Sequence, residues 1–201
     1  FDAGDPIAFH YINRVKKEDG SASDIYYAHV NGTTFADTTS DVKFVTDVTS
    51  GVYQIASAVN TNKVLDVTGF STVGGGNIQL YQNNKTENQM FYVTDLGNGY
   101  FTMTSTYSGL SLDVAGFGRT NCTNVQQYPF AGTSNQKWLL KDTGDGDGTF
   151  YIISQCNGLY LDVPAGDMSN GNNLQMYTGY QTSNQKFKFV LFVICIDGDK
   201  Y

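Results

Sequence analysis

Three aspartates sit inside apolar, strand-like phrases: Val64-Leu65-Asp66-Val67, Leu110-Ser111-Leu112-Asp113-Val114 and Leu159-Tyr160-Leu161-Asp162-Val163. A carboxylate in such a setting is costly to bury without partners. Each is followed by a Gln-x-Tyr phrase, Gln79-Leu80-Tyr81, Gln126-Gln127-Tyr128 and Gln175-Met176-Tyr177. Next come Asn88-Gln89-Met90-Phe91, Asn135-Gln136-Lys137-Trp138 and Asn184-Gln185-Lys186-Phe187. Taken alone, each aspartate could simply cap a turn through backbone N–H groups. With a tyrosine and an asparagine beside it, the set matches the chemistry of a sugar. Asp accepts charge-assisted hydrogen bonds from neighbouring hydroxyls, and Asn offers both a donor and an acceptor. Tyr lays a flat apolar face against the C–H patch of a pyranose and keeps its own hydroxyl wet. Such a shallow site should hold a monosaccharide at roughly millimolar, about −4 kcal/mol. Three equivalent sites would gain by multivalency on a glycan surface.

The landmarks keep step. Asp113 lies 47 residues after Asp66 and Asp162 lies 49 after Asp113, and the Tyr and Gln positions repeat the same two intervals. That is an internal repeat, running over about residues 51–98, 99–147 and 148–192. Each unit reads as four short strands: Val52–Ala56, Lys63–Val67, Asn77–Tyr81 and Gln89–Val93 in the first; Tyr100–Ser105, Leu110–Val114, Asn124–Tyr128 and Gln136–Leu140 in the second; Phe150–Ser154, Leu159–Val163, Asn173–Tyr177 and Gln185–Val190 in the third. No window supports an amphipathic helix of ten or more residues. One such unit cannot bury its own apolar face. Three can if they close around a common axis, which also removes open sheet edges. The sequence therefore predicts one all-β domain with pseudo-threefold symmetry. Phe91, Trp138 and Phe187, with Leu65, Leu112 and Leu161, are its expected core. Gln89, Gln136 and Gln185 read as amides that tie a loop to the backbone.

Residues 1–47 do not repeat. Ile7–Ile12 reads as a strand, Lys16-Lys17-Glu18-Asp19-Gly20 as a polar turn, and Ile25–Val30 as a second strand. Asn31-Gly32 signals a tight turn leading to Thr33-Thr34-Phe35, and Val42–Val48 reads as a further strand. This extension is too short to bury a good core alone, so it is expected to pack on something else, with the apolar run Phe189–Ile196 as one candidate surface. That run is far shorter than the roughly 20 residues of a spanning helix and reads as a buried strand; no transmembrane segment is present. Residues 197–201 are a tail.

The net charge of −7 and the 15% charged content argue against nucleic acid or an anionic membrane as partner, since both require clustered Lys and Arg. Cys122, Cys156 and Cys195 allow at most one internal pair and form no C-x-x-C. Phe1 in place of Met points to a processed chain or a fragment. Three N-x-S/T sequons begin at Asn31, Asn84 and Asn121.

The three phrases together resemble the ricin B-chain-like (R-type) lectins, also classed as family 13 carbohydrate-binding modules. The resemblance covers about residues 49–192 and rests on the Leu-Asp-Val, Gln-x-Tyr and Gln-x-aromatic phrases in register. It implies a β-trefoil, a six-stranded barrel closed by three hairpins, here spanning residues 48–196 behind the β-rich extension. It also implies galactose or N-acetylgalactosamine-type glycans as partners at up to three sites. Carried over by position, the first site is Asp66 as hydroxyl acceptor, Tyr81 as stacking platform and Asn88 as polar contact, with Gln79 and Gln89 in support. The second is Asp113, Tyr128 and Asn135 with Gln126 and Gln136. The third is Asp162, Tyr177 and Asn184 with Gln175 and Gln185. Two of the three Gln-x-Trp phrases carry Phe, a core change, and the cysteines that often staple family repeats are absent from the equivalent places.

Other constellations fail on detail. Gly74-Gly75-Gly76 lacks the Lys-Ser/Thr of a phosphate loop. The acidic stretch Asp142–Gly148 lacks EF-hand spacing. His10 and His29 lie outside the repeats, and no Ser/His/Asp set assembles. Three carboxylates a repeat apart do not flank one bond, as a glycosidase pair must. The expectation is a secreted, non-catalytic, multivalent lectin with no cofactor and no metal, its extension adding packing or homo-oligomer contacts. A binding module cut from a larger glycoside hydrolase or toxin is the second reading. A protein-interaction or protease-inhibitor trefoil with vestigial sugar sites is the third.

Overall fold

The computed structural model describes residues 11–16, 22–27, 47–97 and 99–192. The chain divides into two compact units, one of Phe1–Val42 with Val193–Tyr201 and one of Lys43–Phe192. In the first unit, β1 (Tyr11–Lys16) pairs antiparallel with β2 (Ala22–Tyr27), with Tyr11 opposite Tyr27 and Lys16 opposite Ala22. Both strands are displaced from the segments that hydropathy suggests. Lys16 closes a strand instead of opening a turn, because a charged side chain marks solvation and places no bar on extended backbone. The expected Asn31-Gly32 turn, the strand over Val42–Val48 up to residue 46, His10, His29 and the run beyond Phe192 lie outside the described residues.

The second unit contains all three repeats. The first supplies β3 (Gly51–Ser57), β4 (Lys63–Val67), β5 (Gly76–Gln82) and β6 (Phe91–Asp95). The second supplies β7 (Tyr100–Ser105), β8 (Ser111–Val114), β9 (Thr123–Tyr128) and β10 (Trp138–Asp142). The third supplies β11 (Thr149–Ser154), β12 (Tyr160–Asp162), β13 (Asn172–Asn173), β14 (Gln175–Tyr177) and β15 (Phe187–Leu191). The outer strands of the repeats pair in the cycle β3–β6–β7–β10–β11–β15 and back to β3, every pair antiparallel, which closes a six-stranded barrel. The hairpins β4–β5, β8–β9 and β12–β14 join one another through β5–β9, β9–β14 and β13–β5. This is the β-trefoil that three self-insufficient repeats require.

Period-two alternation decides what faces inward. Leu65, Val67, Ile78 and Leu80 from the first hairpin, and Leu112, Val114 and Val125 from the second, enter one continuous core with Phe91, Trp138 and Phe187. Phe189 meets Tyr53 and Phe150 edge-to-face, each at 5.8 Å between ring centroids. Trp138 donates its indole N–H to Leu112 O at 3.3 Å, which satisfies a buried donor that Phe91 and Phe187 do not possess. Among the described residues no helix is long and apolar enough to cross a membrane.

Several strand ends differ from the sequence reading. Gln89, Gln136 and Gln185 do not start strands. They close single 3-10 turns over Glu87–Gln89, Ser134–Gln136 and Ser183–Gln185, and the aromatic two residues on begins the strand. The run Asn173–Tyr177 is broken at Leu174, whose backbone turns to pair with both Ile78 and Val125.

Candidate functional site

In each hairpin the aspartate stands directly across from the glutamine of the Gln-x-Tyr phrase: Asp66 from Gln79, Asp113 from Gln126 and Asp162 from Gln175. The tyrosine is two residues further along, so it lies on the same face of the hairpin, opposite the face that fills the core. A single pleat thus sends Leu65 inward and presents Asp66, Gln79 and Tyr81 outward together.

The hydrogen bonds repeat in all three copies. Gln79 donates to Asp66 Oδ1 at 2.9 Å, and Asn88 and Gln89 both donate to Asp66 Oδ2 at 2.9 Å. Asp113 receives Gln126 on Oδ1 at 2.9 Å and Asn135 and Gln136 on Oδ2 at 2.7 and 3.0 Å. Asp162 receives Gln175 at 2.8 Å and Asn184 and Gln185 at 2.9 Å each. The carboxylates are only 2–4% exposed. Among the described residues their side-chain donors are amides, which compensate the burial only in part. For Asp66 and Asp113 desolvation outweighs those three amide donors and raises the carboxyl above its ordinary range.

The amides divide into two kinds. Gln89 commits both N–H groups, to Asp66 and to Gln82 O at 2.8 Å, and its Oε1 accepts from Asn84 N at 2.8 Å. Gln136 does the same with Pro129 O and Ala131 N, and Gln185 with Thr178 O and Gln181 N. These glutamines lock the loop that follows the tyrosine. Asn88 and Asn135 also commit both N–H groups, the second to Val67 O and Val114 O, while Thr86 and Thr133 hydroxyls donate to their Oδ1 at 2.7 Å. One lone pair of Oδ1 is what such an asparagine still has for a ligand hydroxyl. Gln79, Gln126 and Gln175 use one N–H each, toward Asp. Their second N–H, their Oε1 and the remaining lone pair of Asp Oδ1 form the open polar edge of each site. Tyr128 is 49% exposed, and Tyr81 and Tyr177 are half-buried.

The ricin-type beta-trefoil lectin domain-like family matches the chain over residues 41–128, 118–177 and 134–194. This chain belongs to that family. No curated protein sequence matches it. Among solved structures, the designed threefold-symmetric protein ThreeFoil is 33% identical with a TM-score of 0.68, over 71% of this chain and 99% of that one. The exo-β-1,3-galactanase 1,3Gal43A from Clostridium thermocellum is 24% identical with a TM-score of 0.66, over 90% of this chain but 37% of the galactanase. The Macrolepiota procera ricin B-like lectin, solved with lactose, is 18% identical with a TM-score of 0.62, over 73% of this chain and 99% of that lectin. The last two likenesses show the fold.

Within this ricin-type trefoil the three copies differ in their aromatic surroundings. The residue opposite the tyrosine is Val64, Ser111 or Tyr160. Phe70 and Phe117, four residues beyond the first two aspartates, are about half exposed in left-handed backbone, where the third copy has Gly166. Tyr180, 67% exposed, lies 6.1 Å from Tyr177, ring to ring, only in the third copy. In that copy a Cβ on Gly179 would fall 2.2 Å from the Tyr160 ring, so only glycine fits. Sequence reasoning missed these rings because none of them recurs in all three copies. In the acidic stretch, Asp147 pairs with Lys188 at 2.9 Å and Asp145 with Lys186, and the described residues hold no group of three metal-ligating side chains.

Proposed function

We propose that this trefoil binds galactose-type glycans without catalysis, at up to three shallow sites centred on Asp66–Gln79–Tyr81, Asp113–Gln126–Tyr128 and Asp162–Gln175–Tyr177. The observation that carries the reading is the threefold recurrence of one buried carboxylate braced by three amides beside an accessible tyrosine. A turn cap needs backbone donors, and these carboxylates receive side-chain amides from two separate segments, the paired strand and the 3-10 turn. The open edge presents acceptor and donor side by side, which suits vicinal hydroxyls, and the ring suits a C–H face. Galactose is favoured because a ricin B-like lectin of the same fold was solved with lactose.

The test is calorimetric titration with galactose and lactose of the protein and of Asp66→Ala, Asp113→Ala and Asp162→Ala, singly and together. Each single change should remove one site, and the triple variant should bind nothing. A folded triple variant that binds like the starting protein contradicts the reading. A second reading, a binding module of a larger glycoside hydrolase, is favoured by the match to 37% of a galactanase. The sequence of the full-length gene separates the two.

A further inference from the structure

Each repeat reaches the site of the next. The N–H of Gly75 bonds Gln127 O at 2.8 Å, that of Cys122 bonds Met176 O at 2.9 Å, and that of Gly171 bonds Leu80 O at 2.9 Å. All three carbonyls belong to the residue just before a platform tyrosine, namely Tyr128, Tyr177 and Tyr81. The side chain one residue earlier in the same loop takes hold just after that tyrosine. Asn121 Oδ1 accepts Thr178 N at 2.8 Å and the Thr178 hydroxyl at 3.0 Å. Asn170 Oδ1 accepts Gln82 N at 2.8 Å and the Lys63 ammonium. In the remaining copy the residue after the tyrosine is Pro129, which has no N–H to give. There the loop residue is Gly74, not Asn. A Cβ on it would stand 3.0 Å from Pro129 Cδ and 3.2 Å from two Tyr128 ring carbons. The exception follows the same logic: with no donor to hold, the loop backbone closes onto the ring itself.

We propose that each ligand site is a composite of two successive repeats, with Asn170, Gly74 and Asn121 as positioning residues that set the tyrosine platforms of the first, second and third sites. This rests on the carbohydrate reading above. It predicts that the loss appears in the neighbouring repeat: Asn121→Ala should weaken the site of Asp162, leaving the site of Asp113 in its own repeat untouched.

The test follows the side-chain amide signals of Gln79, Gln126 and Gln175 and the 13C-labelled tyrosine rings by NMR during lactose titration. Asn121→Ala, which removes both bonds to Thr178, should weaken binding reported by Gln175 alone by about 5- to 10-fold, within the scale of one to two hydrogen bonds, and loosen the Tyr177 ring. Asn170→Ala should do the same for Gln79 and Tyr81. Asn121→Asp, which keeps the acceptor, should behave like the starting protein. Gly74→Asn should displace Tyr128 and weaken the Gln126 site, and adding Pro129→Thr, which restores a donor, should recover it. Equal loss at all sites, loss confined to the mutated repeat, or no change in any site and any ring overturns the proposal. If the starting protein binds no lactose, the carbohydrate reading falls, and the ring measurements alone then decide the positioning: unaltered Tyr177 and Tyr81 rings overturn it.

Discussion

Gln136 donates from Nε2 to Asp113 Oδ2 at 3.0 Å while its other amide hydrogen goes to Pro129 O and its Oε1 takes Ala131 N. One buried side chain thus joins the charged centre of the site to the loop that carries the tyrosine. Gln126, on the other oxygen of the same carboxylate, makes one bond and keeps the rest of its amide open. The two glutamines therefore have separable consequences.

Gln136→Ala should unfold the domain more readily. It takes one of three donors from the buried Asp113 carboxylate, at about 1–3 kcal/mol for a buried group left short of a partner, and it unties the exposed loop at the Ala131 N–H and the Pro129 carbonyl. Urea denaturation should show a loss of about 3 kcal/mol, with Gln89→Ala and Gln185→Ala alike.

Gln126→Ala should do the reverse. Stability should fall by only about 1 kcal/mol, one hydrogen bond, while lactose affinity at the second site drops about tenfold. Single-site calorimetry alongside urea melts gives both numbers. Equal effects of Gln126→Ala and Gln136→Ala on binding would contradict the division of roles.

The repeat itself was open to sequence reading because three landmarks move by the same intervals, and the need of four-strand units for a shared core led from there to closure. Asp66, Asp113 and Asp162 with their amides were legible for the same reason. What the sequence hid is what breaks the repeat. Gly74 gives no sign that it replaces Asn121 and Asn170 until Pro129 is seen facing it. Phe70, Phe117 and Tyr180 look like ordinary apolar residues until their exposure is known. Gln89 was legible as a loop tie, yet the 3-10 turn that holds it was not, because a three-residue turn leaves no periodicity.

Acid should act on Asp66 and Asp113 in two opposed ways. Burial raises both carboxyls, so the folded state keeps these protons to higher pH than the unfolded chain does. Their contribution to stability is therefore largest at low pH and declines as pH rises through the window between the ordinary carboxylate value and the raised one. On the proposed carbohydrate function, glycan binding at these aspartates uses the charged acceptor and should be lost as pH falls through that window. Carboxyl 13C shifts of Asp66 and Asp113, followed with and without lactose, should show titration above the ordinary range.

Ala165→Gly should stabilise the fold. Ala165 holds φ 55°, where the equivalent Gly69 and Gly116 hold 62° and 59°. Relief of left-handed strain, about 1–2 kcal/mol, exceeds the 0.4–1 kcal/mol or so of added unfolded-state entropy. A gain of about 0.5–1 kcal/mol in urea denaturation is expected.

The most direct test of the account is a crystal structure of the protein soaked with lactose. A galactose ring should stack on Tyr81, Tyr128 or Tyr177, with hydroxyls hydrogen-bonded to the Oδ1 atom and the glutamine amide of the same copy. A sugar bound away from all three aspartates, or no sugar at any of them, would contradict it.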